Sequence, residues 1–223
     1  MDRPSKLLID IECQNGVPGY GVPGYYNELE IVLAGKNIVP IPENERNLNI
    51  YKLLEKNYDL IFCTTQKLDN FQFYPVPSFW IFAVDSKGNC FGTIGGIGSI
   101  IDDEHPVGYV NQDGRYGKIS NSLKGFLELV TFYPYWRDII KYEQMEVLYD
   151  LKDMEIELEK NLHYFEGQPE IAEILKLTKN PKSIELLVSS IINTSEFEVY
   201  GSKNEAQMTN TFWDIFSLSL IHI

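Results

Sequence analysis

Phe79-Trp-Ile-Phe-Ala-Val-Asp-Ser-Lys-Gly-Asn-Cys-Phe-Gly-Thr-Ile-Gly-Gly96 is the stretch that decides the fold. Phe79 to Val84 is an almost unbroken apolar run, aromatic and β-branched, of the kind buried on both faces of a sheet. Asp85-Ser-Lys-Gly88 is turn chemistry, because Asp and Ser bond nearby backbone and Gly88 tolerates a positive φ. Cys90-Phe-Gly-Thr-Ile94 then returns as the partner strand, so the stretch predicts a β-hairpin. Trp80 or Phe82 is expected to alternate into the buried layer.

Outward from the hairpin, Gly95 to Gly98 leads to acidic Asp102-Asp-Glu104 and the short extended run Pro106-Val-Gly-Tyr-Val110. A second polar turn, Asn111-Gln-Asp-Gly114, precedes Tyr116-Gly-Lys-Ile119. Ser120-Asn-Ser-Leu-Lys-Gly-Phe-Leu127 opens a helix in which Leu123, Phe126, Leu127 and Val130 form one apolar stripe. A hydroxyl or amide among residues 120–122 caps it, and Pro134 stops it. Strands 58–119 are expected to pair antiparallel with the hairpin at their centre and the 121–132 helix on one face.

The order of a Phe-Ala-x-Asp-x-x-Gly hairpin, a Pro-Val strand, a polar turn and a Ser-x-Ser-Leu-x-x-Phe-Leu helix resembles the SUKH superfamily. That superfamily contains the yeast cell-wall-synthesis regulator and many bacterial immunity proteins. The resemblance spans about Asn49 to Trp136. It implies an α+β fold, a central antiparallel sheet with helices on one side, and an immunity protein that neutralises a polymorphic toxin by direct occlusion.

Composition bounds the function. The chain has 223 residues, 44% of them hydrophobic and 13% aromatic, enough for a packed core rather than wholesale disorder. Its net charge of −13 repels phosphate backbones, so nucleic acid is an unfavourable partner and a basic protein a favourable one. The same charge also serves plain solubility. The apolar cluster Leu7-Leu-Ile9 is cut by Asp10 and Glu12, too short for a signal peptide, and no run reaches the length of a membrane span. Cys13, Cys63 and Cys90 are scattered and odd in number, which suits a reducing compartment; a cytoplasmic location is expected.

In chain order, Lys6 to Ile11 reads as a short strand. Val17-Pro-Gly-Tyr20-Gly-Val22-Pro-Gly-Tyr25 duplicates a type II turn motif. With Tyr26 it makes a Tyr-rich loop, either a recognition surface presenting Tyr20, Tyr25 and Tyr26 or a tolerated local duplication. Glu28 to Leu33 suits strand or helix, while Pro40 and Pro42 bar a central strand over Ile38 to Pro42. Asn49 to Asn57 reads as a short helix and Tyr58 to Cys63 as a strand.

From Asp138 the chain becomes acidic, and residues 138–223 are expected to form a mainly helical appendage on a 1–137 α+β domain. Helix is expected through Tyr149. Met154 to Glu159 alternates with period two, so a strand stays open there. Pro169 begins a helix whose face is Ile171, Ile174, Leu175 and Thr178. Asn180 and Pro181 start another, with Ile184, Leu187, Val188 and Ile191 on one face. Glu196 to Tyr200 reads as a strand, and Phe212 to Phe216 as part of a last helix before the apolar tail 218–223.

Signals for catalysis are sparse. The Gly92 to Gly98 run lacks both the Gly-x-Gly-x-x-Gly spacing and a following Gly-Lys-Ser/Thr. His105, His163 and His222 carry no metal-ligand spacing, and neither metal nor cofactor is expected. A Cys90–His105 dyad would be inert if Cys90 is buried. Asp102, Asp103 and Glu104 suit a divalent ion or acid–base pair, or a solvated turn. Binding is therefore the expected class, and an enzyme is not. Partner-facing candidates are Asp102, Asp103, Glu104, Glu143, Glu146, Asp150, Tyr20, Tyr25 and Tyr26. Alternatives are a regulatory scaffold of the same superfamily and a hydrolase using Asp102 to His105.

Overall fold

The computed structural model describes residues 6–14, 30–96, 105–159, 165–192 and 197–208. The quoted hairpin is at its centre, as β5 (Phe79–Val84) and β6 (Cys90–Ile94). Asp85 builds the turn: its Oδ1 accepts from the amides of Lys87 and Asn89 at 3.0 and 2.9 Å, and its Oδ2 from Asn89 Nδ2 at 2.8 Å. Gly88 takes the positive φ of 82° that a larger residue would resist. β7 (Val107–Val110) and β8 (Tyr116–Ser120) extend the sheet antiparallel beyond β6.

On the other edge the sheet is parallel. β1 (Lys6–Gln14) pairs with β2 (Glu30–Ile38), and β2 with the first half of β5, giving the order β1-β2-β5-β6-β7-β8. The α+β class holds: the described strand pairs within 58–119 are antiparallel as expected, and β1 and β2, outside that span, make the whole sheet mixed. β2 and β1 approach closely at Gly35, where a Cβ would lie 1.8 Å from the Ile11 carbonyl oxygen. β2 ends at Ile38, ahead of Pro40 and Pro42, which have no amide hydrogen to give a ladder.

One face of the sheet carries the helices α1 (Asn49–Tyr58), α2 (Leu123–Phe132) and α3 (Trp136–Gln144). Phe82, Phe91, Phe126 and Trp136 meet there, with ring centroids 5.6–6.0 Å apart for Phe91–Phe126, Phe82–Phe126 and Phe126–Trp136. Rings meeting edge-to-face, or stacked as Phe91 and Phe126 are, add at such distances to the gain from area burial. The other face buries Phe79, Ile81, Cys90 and Ile94 under Phe71, Cys63 and Phe197. That cover includes a two-stranded ribbon, β4 (Tyr74–Val76) with β9 (Glu198–Tyr200). Both faces being covered, Trp80 and Phe82 are each buried, and the continuous apolar run of β5 is accounted for.

The Ser122 hydroxyl caps α2 by accepting from the Gly125 amide at 3.1 Å. α2 is buried nearly all round, because α5 (Gln168–Leu175) and α6 (Ser183–Ile192) pack on its outer side. Ile139, Ile171, Leu177, Ile184 and Leu187 thereby join the same apolar cluster as the sheet.

Four expectations are corrected. The 58–63 strand shrinks to β3 (Ile61–Phe62), since α1 runs on through Tyr58 and ends at left-handed Asp59, whose carboxylate holds Ser86 of the hairpin turn. α3 stops before Met145, with Glu146 at a φ of 54°, so the helix does not reach Tyr149. The 154–159 alternation lies in α4 (Leu151–Glu159), a helix capped by Asp150. Lys176 in the left-handed region ends α5, so Thr178 lies beyond it and Ile174 stays exposed. Short α7 (Lys203–Met208) closes the described chain, and the expected 212–216 helix and the 218–223 tail lie outside the described residues.

Phe82 sits at a β-bulge with no exposed surface and touches both helices and sheet. Phe82→Ala should cost about 3–5 kcal/mol. Urea unfolding with an unchanged midpoint would show that this ring is not core.

Candidate functional site

Three places on the described surface combine polar chemistry with shape. The first is the turn between α3 and α4 with α4 itself. Met145, Val147, Leu148, Leu151 and Ile156 are large apolar residues left exposed, Leu148 at 98%. Six carboxylates and one lysine lie between positions 143 and 157. The turn is held, not loose: Tyr142 and Tyr149 stack at 5.7 Å, and the Tyr149 hydroxyl donates to Glu143 Oε1 at 2.5 Å. Burial and then the Glu143 bond push the Tyr149 hydroxyl up to about 12, so it remains a donor at neutral pH.

The predicted acidic residues thus divide by role. Glu143 is engaged by Tyr149, and Asp150 caps α4 by accepting from the Lys152 amide at 2.8 Å. Glu146 is exposed at the left-handed turn. The three share one segment, and the apolar residues among them were not recognised from sequence. Their signal was present, since Met145, Val147 and Leu148 fit no stripe of α3. Asp102, Asp103 and Glu104, and Tyr20, Tyr25 and Tyr26, lie outside the described residues.

The second place is a cleft of about 540 Å³ where the start of α2 faces the start of α6. Ser120 and Ser122 form one wall, Thr178, Asn180 and Ser183 the other, and Glu128 projects from α2 between them. Glu128 is only 8% exposed. Its Oε1 accepts from the Thr178 amide and hydroxyl at 3.2 and 3.3 Å. Sequence reasoning passed over Glu128, although it is the one charged residue between Lys124 and Arg137.

The third is a smaller cavity of about 230 Å³ beside β2. Lys36, 8% exposed, donates from Nζ to the Phe73 carbonyl at 2.8 Å, lies 3.8 Å from Glu12 and sits over the Phe73 ring. These contacts fully account for a buried ammonium as an internal tie between the sheet and the 68–76 segment. The Tyr74 hydroxyl nearby is buried without a hydrogen-bond partner among the described residues.

Burial pushes the Cys63 thiol up to about 12 and the Cys90 thiol upward as well, so both stay protonated at neutral pH. Cys90 Sγ lies 3.4 Å from the Val110 carbonyl. Gly95 and Gly96 leave β6 with positive φ, an exit turn. Among the described residues no group of His, Cys, Asp and Glu is placed to hold a metal ion, and no helix is long and apolar enough to cross a membrane. Comparison of the chain with protein-family models, with curated proteins and with solved structures gives no match.

Desolvation holds Lys36 below its ordinary value of 10.5, against the opposing pull of Glu12 and Asp69. Between the lowered value and 10.5 the unfolded chain binds a proton that the folded chain has released. Stability from this group is therefore present above 10.5 and lost as pH falls through the folded value. Relative to Lys36→Met, the native chain should gain stability as pH rises from neutral toward 10.5, read as a difference in urea midpoints. Parallel pH curves for the two chains would contradict the burial cost.

Proposed function

We propose that the chain is an immunity-type binding protein that docks on a basic protein partner, a toxin domain, and occludes it. The observation that carries this reading is the 145–157 surface, with large apolar side chains exposed among carboxylates on a stapled turn and helix. Exposed large apolar side chains grouped in this way mark interaction sites. Interfaces combine apolar anchors with a polar rim, and here the rim carries one sign of charge. A net charge of −13 adds a long-range field of that sign, which steers a basic partner to the surface. The resemblance of the 49–136 region to the SUKH superfamily points to the same class.

In this reading Leu148 and Ile156 anchor the complex, while Glu146, Asp153 and Glu157 set the encounter rate. Co-expression with a toxin domain encoded beside this chain's gene tests it. Growth should be rescued by the native chain and not by Leu148→Asp with Ile156→Asp, at an unchanged melting temperature. Glu146→Gln, Asp153→Asn and Glu157→Gln together should slow association about tenfold at low salt. That difference should shrink as salt shortens the Debye length. Rescue untouched by the apolar pair, or no rescue and no complex, would sink the proposal. Self-association abolished by the same pair would instead assign the surface to a second copy.

A further inference from the structure

The cleft between α2 and α6 contains chemistry that the fold does not use. Glu128 is more than nine-tenths buried, yet only Oε1 is bonded, and Oε2 has no hydrogen-bond or ion-pair partner among the described residues. A buried carboxylate is normally paired or fully bonded, because desolvation of the charge is otherwise uncompensated. Ser183 lines the same cleft at 7% exposure, and its hydroxyl likewise has no partner among the described residues. By contrast, the Ser120 hydroxyl donates to the Ser122 carbonyl at 3.0 Å and the Ser122 hydroxyl accepts from Gly125. Neither oxygen is among the buried side-chain atoms without a partner in the described residues, so both still open onto the cleft, where a ligand can reach them.

The group that best suits these two acceptors is a donor with positive charge. A divalent cation wants six or more oxygens and usually several carboxylates, whereas this cleft has one. A single unit of charge carrying several N–H groups fits better. Leu129 and Leu186 line the cleft beside the polar groups, a surface for an aliphatic stem. The guanidinium is planar, more weakly hydrated than an ammonium, and carries five donors that reach a carboxylate and a hydroxyl together. Lys124 also lines the cleft, and its charge opposes any incoming cation.

We propose that this cleft is a guanidinium-binding site in which Glu128 Oε2 and the Ser183 hydroxyl accept from the ligand, and that the guanidinium is an arginine side chain of the basic partner. The last clause rests on the binding function proposed above; the site itself does not. Glu128 Oε1 stays on Thr178, so the ligand meets a carboxylate already oriented by the loop between α5 and α6.

The test is titration of the full chain with N-acetyl-arginine amide, followed by amide chemical shifts, with N-acetyl-lysine amide, agmatine and calcium as parallel probes. The site predicts saturable shifts at Gly125, Thr178 and Ser183, stronger for the arginine probe than for lysine. Glu128→Gln, which keeps the shape and an acceptor, should weaken binding about tenfold or more, as loss of a charge-assisted bond does. Ser183→Ala should weaken it to a smaller degree, and Lys124→Met should tighten it. No saturable shift, a calcium response in place of the arginine one, or equal binding by Glu128→Gln and Ser183→Ala would overturn the site. A preference for agmatine over the blocked amide would overturn the protein side chain as the source. If Glu128→Gln fails to fold, Ser183→Ala and Lys124→Met decide. None of these failures touches growth rescue through the 145–157 surface, and failed rescue leaves the probe titration standing.

Discussion

Burial of β5 and β6 on both faces is the constraint that the rest of the structure answers. Six consecutive residues, Phe79 to Val84, have no polar side to turn to water, so the chain must cover the sheet twice. On one face the cover is Phe126 and Trp136, delivered by α2 and α3 against Phe82 and Phe91. On the other it is Phe71 and Phe197, the latter with its ring tilted against that of Phe79 at 5.2 Å and brought there by β9. The late part of the chain is thereby committed to the core of the early part. Arg137 extends the aromatic face, its guanidinium 4.7 Å from the Trp136 ring and bonded to the Tyr58 carbonyl.

This double cover explains where the surface features arise. α2 is covered on most sides, with Lys124 of its first turn still exposed, and its one acidic residue, Glu128, is turned toward the seam with α6 and buried there. α4, in contrast, packs chiefly through Met154 and Leu158, leaving Leu151 and Ile156 outside. Apolar residues grouped on the outer side of a helix are the feature from which the partner proposal is argued. The Tyr142–Tyr149 stack and the Glu143 bond order the preceding turn, so these side chains are held on a defined surface.

What the sequence disclosed was local. The Asp85–Gly88 turn, the Ser122 cap and the stop before Pro134 all depend on residues a few positions apart, whereas Asn180 and Pro181 form a turn ahead of α6, which starts at Ser183. Tertiary pairing decided the remainder. β1 and β2 pair in parallel, and no short-range pattern in Lys6 to Ile11 or Glu28 to Leu33 announces a parallel neighbour. The alternation of Met154 to Glu159 gave way to a helix because Asp150 caps it and Met154 and Leu158, four apart, share the buried side. The α2–α6 cleft joins residues about 50 positions apart, so Glu128 acquired its meaning only with Thr178 beside it. Acidic residues were visible from the start, but not that Glu143 and Asp150 are also used by the fold.

Hydrogen exchange of the chain alone and bound to the proposed basic partner tests the central claim most directly. The account predicts new protection across Met145–Glu157, with a second protected patch at 178–186 where the guanidinium enters. Protection confined to the β4–β9 ribbon or the β1 edge, with 145–157 exchanging as in the free chain, would contradict it.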